Sequence, residues 1–374
     1  MKKKITLGKV LLVLCLLFIS LIVLYYNQTL RVPSIFDGKF YTTALIQPAQ
    51  NPTPLKEKLT ALPELNLWLD SASANYYQYP DFFLKQTNTT SFLVVKNDTV
   101  IFKRYLNGVR EGENTQIFSV TKVFVTALLG AAIKDKYIEN ADVPVTHFFK
   151  DLKDKNFEQL TLRQLMQMES GLNHDEYGKI FQTLQYYYEK NLTRSIYAAK
   201  FDTPPGKLYK YKSIDTQILG ECIKNALGKK KILDYFYERM WNKLGMQDTA
   251  YWALDSKIAQ NPKYYGGLNM SARDLAKFGT MVLHDGKYLK NRIIPSDWFN
   301  YCDDTLHRSI EDDKYCMGWY YYIDEPQDDV YFAAGFNGQI MLINETKNVV
   351  VIRLGTDRGG VYWYPIMKKL SELV

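Results

Sequence analysis

The sequence predicts an α/β (α+β) fold in which both ends of the chain build one lobe and a helical lobe is inserted between them, at about residues 135–300. Three observations predict it. Runs rich in β-branched and aromatic residues cluster at 92–105 and return at 315–354. The segment between them carries apolar periodicities of helical length, closed by glycines and caps. A stretch from Ile117 to Ile133 is apolar all round, which reads as a helix buried in a large domain rather than one lying on its surface.

Taken in order, the chain begins with Lys2, Lys3 and Lys4, followed by an apolar run from Val10 to Tyr26. A basic start before a long apolar segment reads as a targeting signal. No small-residue cleavage site follows, and Tyr25 and Tyr26 suit a membrane interface. The expectation is an uncleaved signal anchor at residues 1–27, a transmembrane helix with the rest of the chain outside the cytoplasm, periplasmic or at the cell surface. Residues 28–60 read as a linker, with scattered Pro, Asn, Gln and Thr. The remaining chain, 61–374, reads as the functional domain.

Phe92–Lys96 and Thr99–Tyr105 flank Asn97-Asp98 and predict a β-hairpin. The buried helix follows after a polar loop. Thr161–Met168, Tyr186–Lys200, Ile214–Leu227 and Ile232–Leu244 predict further helices, the last two ended by Gly228 and Gly245. Ser271-Ala272-Arg273-Asp274 opens another, running to His284. Strands are expected at Tyr315–Ile323, Val330–Ala334, Gln339–Asn344 and Val349–Leu354, and an amphipathic helix at Tyr364–Val374.

The 374 residues suffice for a sizeable core, with 47% apolar and 23% charged residues. Of the net charge of +7, four units come from Lys2, Lys3, Lys4 and Lys9, leaving three. No basic stripe interleaved with aromatics occurs, so nucleic-acid binding is disfavoured. The four cysteines, Cys15, Cys222, Cys302 and Cys316, have no zinc-like spacing. A Cys302–Cys316 disulfide suits an oxidising compartment, but spacing alone does not establish it. The four histidines have no metal-like spacing and no phosphate-binding glycine loop occurs, so neither a metal nor a cofactor is expected.

The chemistry-bearing residues sit at the start of the buried helix. Ser119 and Lys122 are three apart, on one helical face. Buried lysine is costly without a partner or a task. A serine beside it is a candidate nucleophile with its base. Taken alone, this S-x-x-K is a weak signal and reads more readily as an N-cap serine and a lysine reaching solvent. Further along come Pro205-Gly206, Tyr211-Lys212-Ser213 before a helix, Leu244-Gly245-Met246-Gln247-Asp248-Thr249, Gly266-Gly267-Leu268-Asn269, and Gly335-Phe336-Asn337-Gly338-Gln339 opening a strand.

That order of motifs, from about residue 90 to the C-terminus, resembles the serine hydrolases of the class C β-lactamase and penicillin-binding-protein family. The Tyr-x-Ser-x-x-Thr form at 211–216 is most similar to the 6-aminohexanoate-dimer hydrolase branch, where the broader family more often has Tyr-x-Asn. The resemblance implies an antiparallel sheet flanked by helices and an acyl-enzyme mechanism. Ser119 is then the nucleophile, Lys122 its base and Tyr211 a second proton carrier. Ser213 orients Lys122 or the leaving group. The oxyanion hole combines the backbone N–H groups of Ser119 and Gln339, and Gly335 and Gly338 admit substrate close to the strand. Phe336 and Asn337 belong to the substrate-binding wall. Relatives carry His, Lys or Trp where this chain has Phe336, so a polar group for a β-lactam carboxylate is missing. The implied substrate is a small or peptide-like amide or ester. Carboxylesterase, D-alanyl peptidase or β-lactamase action are alternatives, and an inactive receptor for a cell-envelope ligand is the alternative of another class. No Gly-x-Ser-x-Gly elbow occurs, against an α/β-hydrolase.

Overall fold

A computed structural model describes residues 7–29, 32–39, 41–62, 80–176, 178, 180–299, 313–322 and 330–374. Lys2, Lys3, Lys4, most of the 62–69 stretch, Cys302, His307 and Ile323 lie outside the described residues. The chain opens with α1 (Leu7–Thr29), β1 (Thr43–Ile46), β2 (Lys56–Glu57) and α2 (Pro80–Gln86). Then come β3 (Thr89–Lys96), β4 (Thr99–Tyr105), β5 (Thr115–Gln116) and α3 (Thr121–Lys134). The middle holds α4 (Leu162–Met166), α5 (Ile180–Tyr187), α6 (Leu192–Tyr197), α7 (Ser213–Ala226) and α8 (Ile232–Phe236). It continues through β6 (Ala250–Ala253), β7 (Leu268–Met270), α9 (Ala272–Leu283), β8 (Lys287–Tyr288) and β9 (Asn291–Arg292). The C-terminal part is β10 (Asp313–Cys316), β11 (Trp319–Tyr322), β12 (Val330–Gly335), β13 (Gln339–Asn344), β14 (Val349–Gly355) and α10 (Trp363–Leu373).

Strands from both ends meet in one sheet of order β10-β11-β12-β13-β14-β3-β4-β2. Every pair is antiparallel except β2 with β4. The join is β14 against β3, where Val351 faces Val94 and Ile352 faces Leu93. Side chains alternate across a strand, and here both faces are covered. Phe92, Val94, Leu342 and Val351 pack with Trp363, Met367 and Leu370 of α10. Leu93, Val95, Met341, Val350 and Ile352 join the larger core with α3 and α9. That explains why β3 and β14 read as nearly continuous apolar runs rather than as alternating ones.

The α3 helix is buried from Thr121 to Ala132, with Phe124 stacked on Phe278 of α9 at 3.9 Å between ring centroids. Its burial is the expected consequence of an apolar surface on all sides. Close packing elsewhere leaves no room for a methyl group. A Cβ on Gly220 of α7 would lie 2.2 Å from the Tyr264 ring. Gly220→Ala is therefore expected to destabilise the fold by about 1–3 kcal/mol despite alanine's better helix propensity. A melting temperature equal to or above that of wild type would contradict this packing.

Several sequence expectations shift in detail. Tyr315–Ile323 is not one strand, because Met317 and Gly318 adopt positive φ of 56° and 95° and turn β10 back into β11. Tyr186–Lys200 is not one helix, because Asn191 accepts the Arg194 N–H and starts α6 afresh. Ile232–Leu244 begins as α8 and passes into a π turn at Tyr237–Trp241. Residues 28–60 do not run as a free tether where they are described. β1 pairs with β6, and Ile35 is buried in the larger core. Cys316 is disulfide-bonded, and Cys302, the partner considered, lies outside the described residues.

The membrane expectation is corrected. Among the described residues, no helix is long and apolar enough to cross a membrane. This overturns the signal anchor at 1–27, the transmembrane helix, the membrane as a partner, and the periplasmic or surface placement that rested on them. The run from Val10 to Tyr26 rises only about 26 Å at 1.5 Å per residue, short of a hydrocarbon core of roughly 30 Å. Beyond it α1 continues into Asn27, Gln28 and Thr29 at one end and Lys9 at the other.

Candidate active site

The site is built where the elbow before α3 meets the start of α7 and the end of β12. Phe118–Val120 forms a short 3-10 turn leading into α3. Phe118 has φ +46°, a left-handed conformation that is costly for a bulky residue. The turn is held on both sides. Ile117 N–H donates to the Leu268 carbonyl at 3.1 Å, and Leu268 N–H donates to Thr121 Oγ1 at 3.2 Å. Ser119 is thus presented at the head of a buried helix, where the first N–H groups have no intrahelical acceptor.

Lys122 lies one turn further and is only 1% exposed. Its Nζ is 3.0 Å from Ser119 Oγ, 2.8 Å from the Tyr265 carbonyl and 3.5 Å from Ser213 Oγ. It also sits over the Tyr211 ring, 5.0 Å from the centroid. Burial pushes its pKa down to about 8, against the opposing pull of the Glu176 and Asp215 charges. A lysine in that range has a substantial neutral fraction near pH 8, which proton abstraction requires.

The second motif arrives from α7. Ser213 is the first residue of α7, and its hydroxyl donates to Glu176 Oε1 at 2.7 Å while its backbone N–H donates to Glu176 Oε2 at 3.0 Å. Tyr211 packs edge-on against Tyr315 and near Met168. The loop before it turns at Gly206, whose N–H donates to the Glu169 carbonyl at 2.8 Å. Below, Asp215 is buried and accepts the Ser170 hydroxyl at 2.7 Å. Burial raises its carboxyl to about 6, with Lys212 and Ser170 opposing.

Beside Ser119 opens a cavity of about 170 Å³. Its walls are largely aromatic and aliphatic. Phe118, Leu184, Tyr186, Tyr187, Tyr265 and Phe336 line it, Ser119, Glu176, Thr183 and Ser213 add polar groups, and Val32 and Pro33 also border it. Phe336, 47% exposed, packs edge-to-face with Phe118 at 5.6 Å.

The third motif is divided by its own turn. Gly335 ends β12 so close to the elbow that a Cβ would lie 2.5 Å from the Ile117 carbonyl. Asn337 takes φ +62° and Gly338 φ +75°, which returns the chain to pair Gln339 with Gly335. Gln339 is fully buried; its amide bonds the carbonyls of Phe336, Asn337 and Gly355. Asn337 reaches back to the Pro33 carbonyl at 3.2 Å. Beneath the turn, buried Arg353 donates to the carbonyls of Asn337 and Gly338 at 3.1 and 2.8 Å. Of the expected site residues, Ser119, Lys122, Tyr211 and Ser213 therefore converge, and Phe336 lines the same cavity. Gly338 and Gln339 do not line it. They shape and support the turn that carries Phe336.

Sequence reasoning missed Glu176, one of 40 acidic residues in a loop without periodicity. It lies six residues after Ser170, and nothing in the sequence of that loop marks it. His174, two residues before Glu176 on the same loop, is buried against Tyr186.

The Beta-lactamase family description matches residues 83–362, well over half of the chain. Over 309 residues the chain is 21% identical to the 6-aminohexanoate-dimer hydrolase of Paenarthrobacter ureafaciens, covering 75% of this chain and 76% of that protein. A solved Bacillus anthracis chain, named provisionally for 6-aminohexanoate-dimer hydrolase, superposes with a TM-score of 0.77 at 20% identity. That match covers 93% of this chain and 92% of that one. A penicillin-binding protein from Bacillus halodurans has a TM-score of 0.62 at 16% identity, with 77% and 98% covered. At these identities the solved structures establish the fold alone, and the family match establishes membership: the chain belongs to the Beta-lactamase family.

Proposed function

We propose that this protein is a serine hydrolase that cleaves an aliphatic amide or ester through an acyl-enzyme, with 6-aminohexanoate-dimer-hydrolase-like amide hydrolysis as the leading reading. The observation that carries it is a buried lysine, 3.0 Å from the only serine hydroxyl of an S-x-x-K motif, at the mouth of an apolar cavity.

In this reading neutral Lys122 takes the Ser119 proton as Ser119 Oγ bonds to the carbonyl carbon. The carbonyl oxygen becomes an oxyanion. The N–H of Ser119 is one donor to it. The second is the backbone N–H of Phe336 rather than that of Gln339, since Phe336 is the residue of that turn that shares the cavity with Ser119. Tyr211, whose ring lies against the Lys122 amine, delivers a proton to the departing amine or alcohol. Water then attacks the acyl-enzyme, with the same groups returning the proton to Ser119.

The aromatic walls favour an unbranched apolar acyl chain over a bicyclic β-lactam. An ester such as p-nitrophenyl butyrate, the linear 6-aminohexanoate dimer and a chromogenic cephalosporin form the test. Hydrolysis of the first two, with the cephalosporin turned over much more slowly, is expected. A preference for the cephalosporin contradicts the reading of the cavity, and inactivity toward all three favours a binding protein.

A further inference from the structure

Lys122 needs more than a low proton affinity; its lone pair must point at Ser119. A neutral amine has two N–H donors and one lone pair, and it has three partners here. The Tyr265 carbonyl, at 2.8 Å, accepts only. Ser213 Oγ, at 3.5 Å, is a hydroxyl, so it can donate to the amine or accept from it. If it donates, it occupies the lone pair and the base is turned away from Ser119. Glu176 removes that choice. Its Oε1 takes the Ser213 hydroxyl proton at 2.7 Å, and its Oε2 takes the Ser213 backbone N–H at 3.0 Å. An ionised carboxylate has no proton to give. Ser213 Oγ is thereby left with lone pairs alone toward Lys122. Both amine N–H groups are then committed, and the lone pair faces Ser119 Oγ at 3.0 Å.

We propose that Glu176 is a positioning residue: by holding the Ser213 proton it fixes the rotation of the neutral Lys122 amine so that its lone pair faces Ser119. The inference rests on the acyl-enzyme reading above. Nothing in it requires Glu176 to exchange a proton. Its ionised state is supported by its surroundings. Burial opposes ionisation, but His174, Lys122 and Ser213 outweigh it and hold the carboxyl below its usual range. His174 Nε2 stands 3.4 Å from Glu176 Oε2, within ion-pair range but outside good hydrogen-bond geometry. The other groups facing this cluster are Asp215 from α7, Tyr186 from α5, the Tyr265 ring and Tyr211, whose ring lies 5.0 Å from the Lys122 amine.

The Glu176→Gln variant separates positioning from simple damage. Glutamine keeps the shape but carries an NH2 that can donate to Ser213, freeing the Ser213 proton for Lys122. The rate of Ser119 labelling by a fluorophosphonate is expected to fall about 10- to 100-fold, part of what a general base contributes. At the same time the acid limb of the labelling rate should move to lower pH, because the Glu176 charge that favours protonated Lys122 has gone. A slower enzyme with a more available base is not what misfolding produces. Glu176→Asp retains the charge and should recover part of the rate. The effect must also pass through Ser213, so in a Ser213→Ala background Glu176→Gln should cost less than about 3-fold, by the logic of coupled pairs.

Full-size, additive losses in the double variant, or an acid limb that stays in place, would overturn the proposal while leaving the acyl-enzyme reading intact. A wild-type protein that never labels at Ser119 would remove both.

Discussion

Replacing Ser119 by alanine is expected to abolish covalent labelling and to reduce hydrolysis of p-nitrophenyl butyrate by about 10⁴-fold or more, the scale seen when the nucleophile of a coupled catalytic unit is removed. The fold should not suffer. The Ser119 hydroxyl bonds only Lys122 among the described residues, and Lys122 keeps the Tyr265 carbonyl at 2.8 Å. A melting temperature close to that of wild type, together with lost turnover, is the expected pair. Retained turnover in Ser119→Ala would mean that the hydrolysis arises elsewhere.

The second large effect belongs to Lys122. The rate of acylation in wild type should rise with pH and level off above about 8, since only the neutral amine has a lone pair and burial places its pKa near that value. Below it the amine is protonated and the base is absent. Lys122→Met keeps the length and apolar stem but removes the base, and should lower acylation about 10²- to 10⁴-fold. The remaining rate should lose the step near pH 8. Burying an ammonium is costly, so this variant should be as stable as wild type or more so, a trade of stability against activity common at such sites. A Lys122→Met protein that keeps the wild-type pH profile would assign the titration to another group.

The local pattern made much of this legible. Ser119 and Lys122 were visible because a three-residue spacing fixes their geometry on any helix, and because a lysine inside an apolar helix has to be explained. Tyr211 and Ser213 were visible because a proline-glycine turn and a helix start bracket them. The two-ended sheet followed from where the β-branched runs lie. What could not be read is what depends on contacts across the fold. Glu176 meets Ser213 over 37 residues of sequence, and nothing in its loop announces that meeting. Gln339 was placed in the oxyanion hole because it opens a strand. The left-handed Asn337 and Gly338 turn the chain first, so Gln339 is buried and Phe336 reaches the cavity.

Residues 32–39 read as linker because their anchoring uses single residues rather than a period. Ile35 enters the core, and the Pro33 carbonyl ties to Asn337. The N-terminal apolar run misled for a different reason. A basic start and an apolar stretch carry the signature of an anchor, but the run from Val10 to Tyr26 lies at the short limit for a span.

The central claim is that Ser119 is an activated nucleophile with Lys122 as its base. The most direct measurement is intact-mass analysis of the full-length protein after incubation with a fluorophosphonate, beside Ser119→Ala and Lys122→Met. The account predicts one adduct on wild type, none on Ser119→Ala and strongly slowed labelling of Lys122→Met. A folded wild-type protein that stays unlabelled, or an adduct that persists in Ser119→Ala, would contradict it.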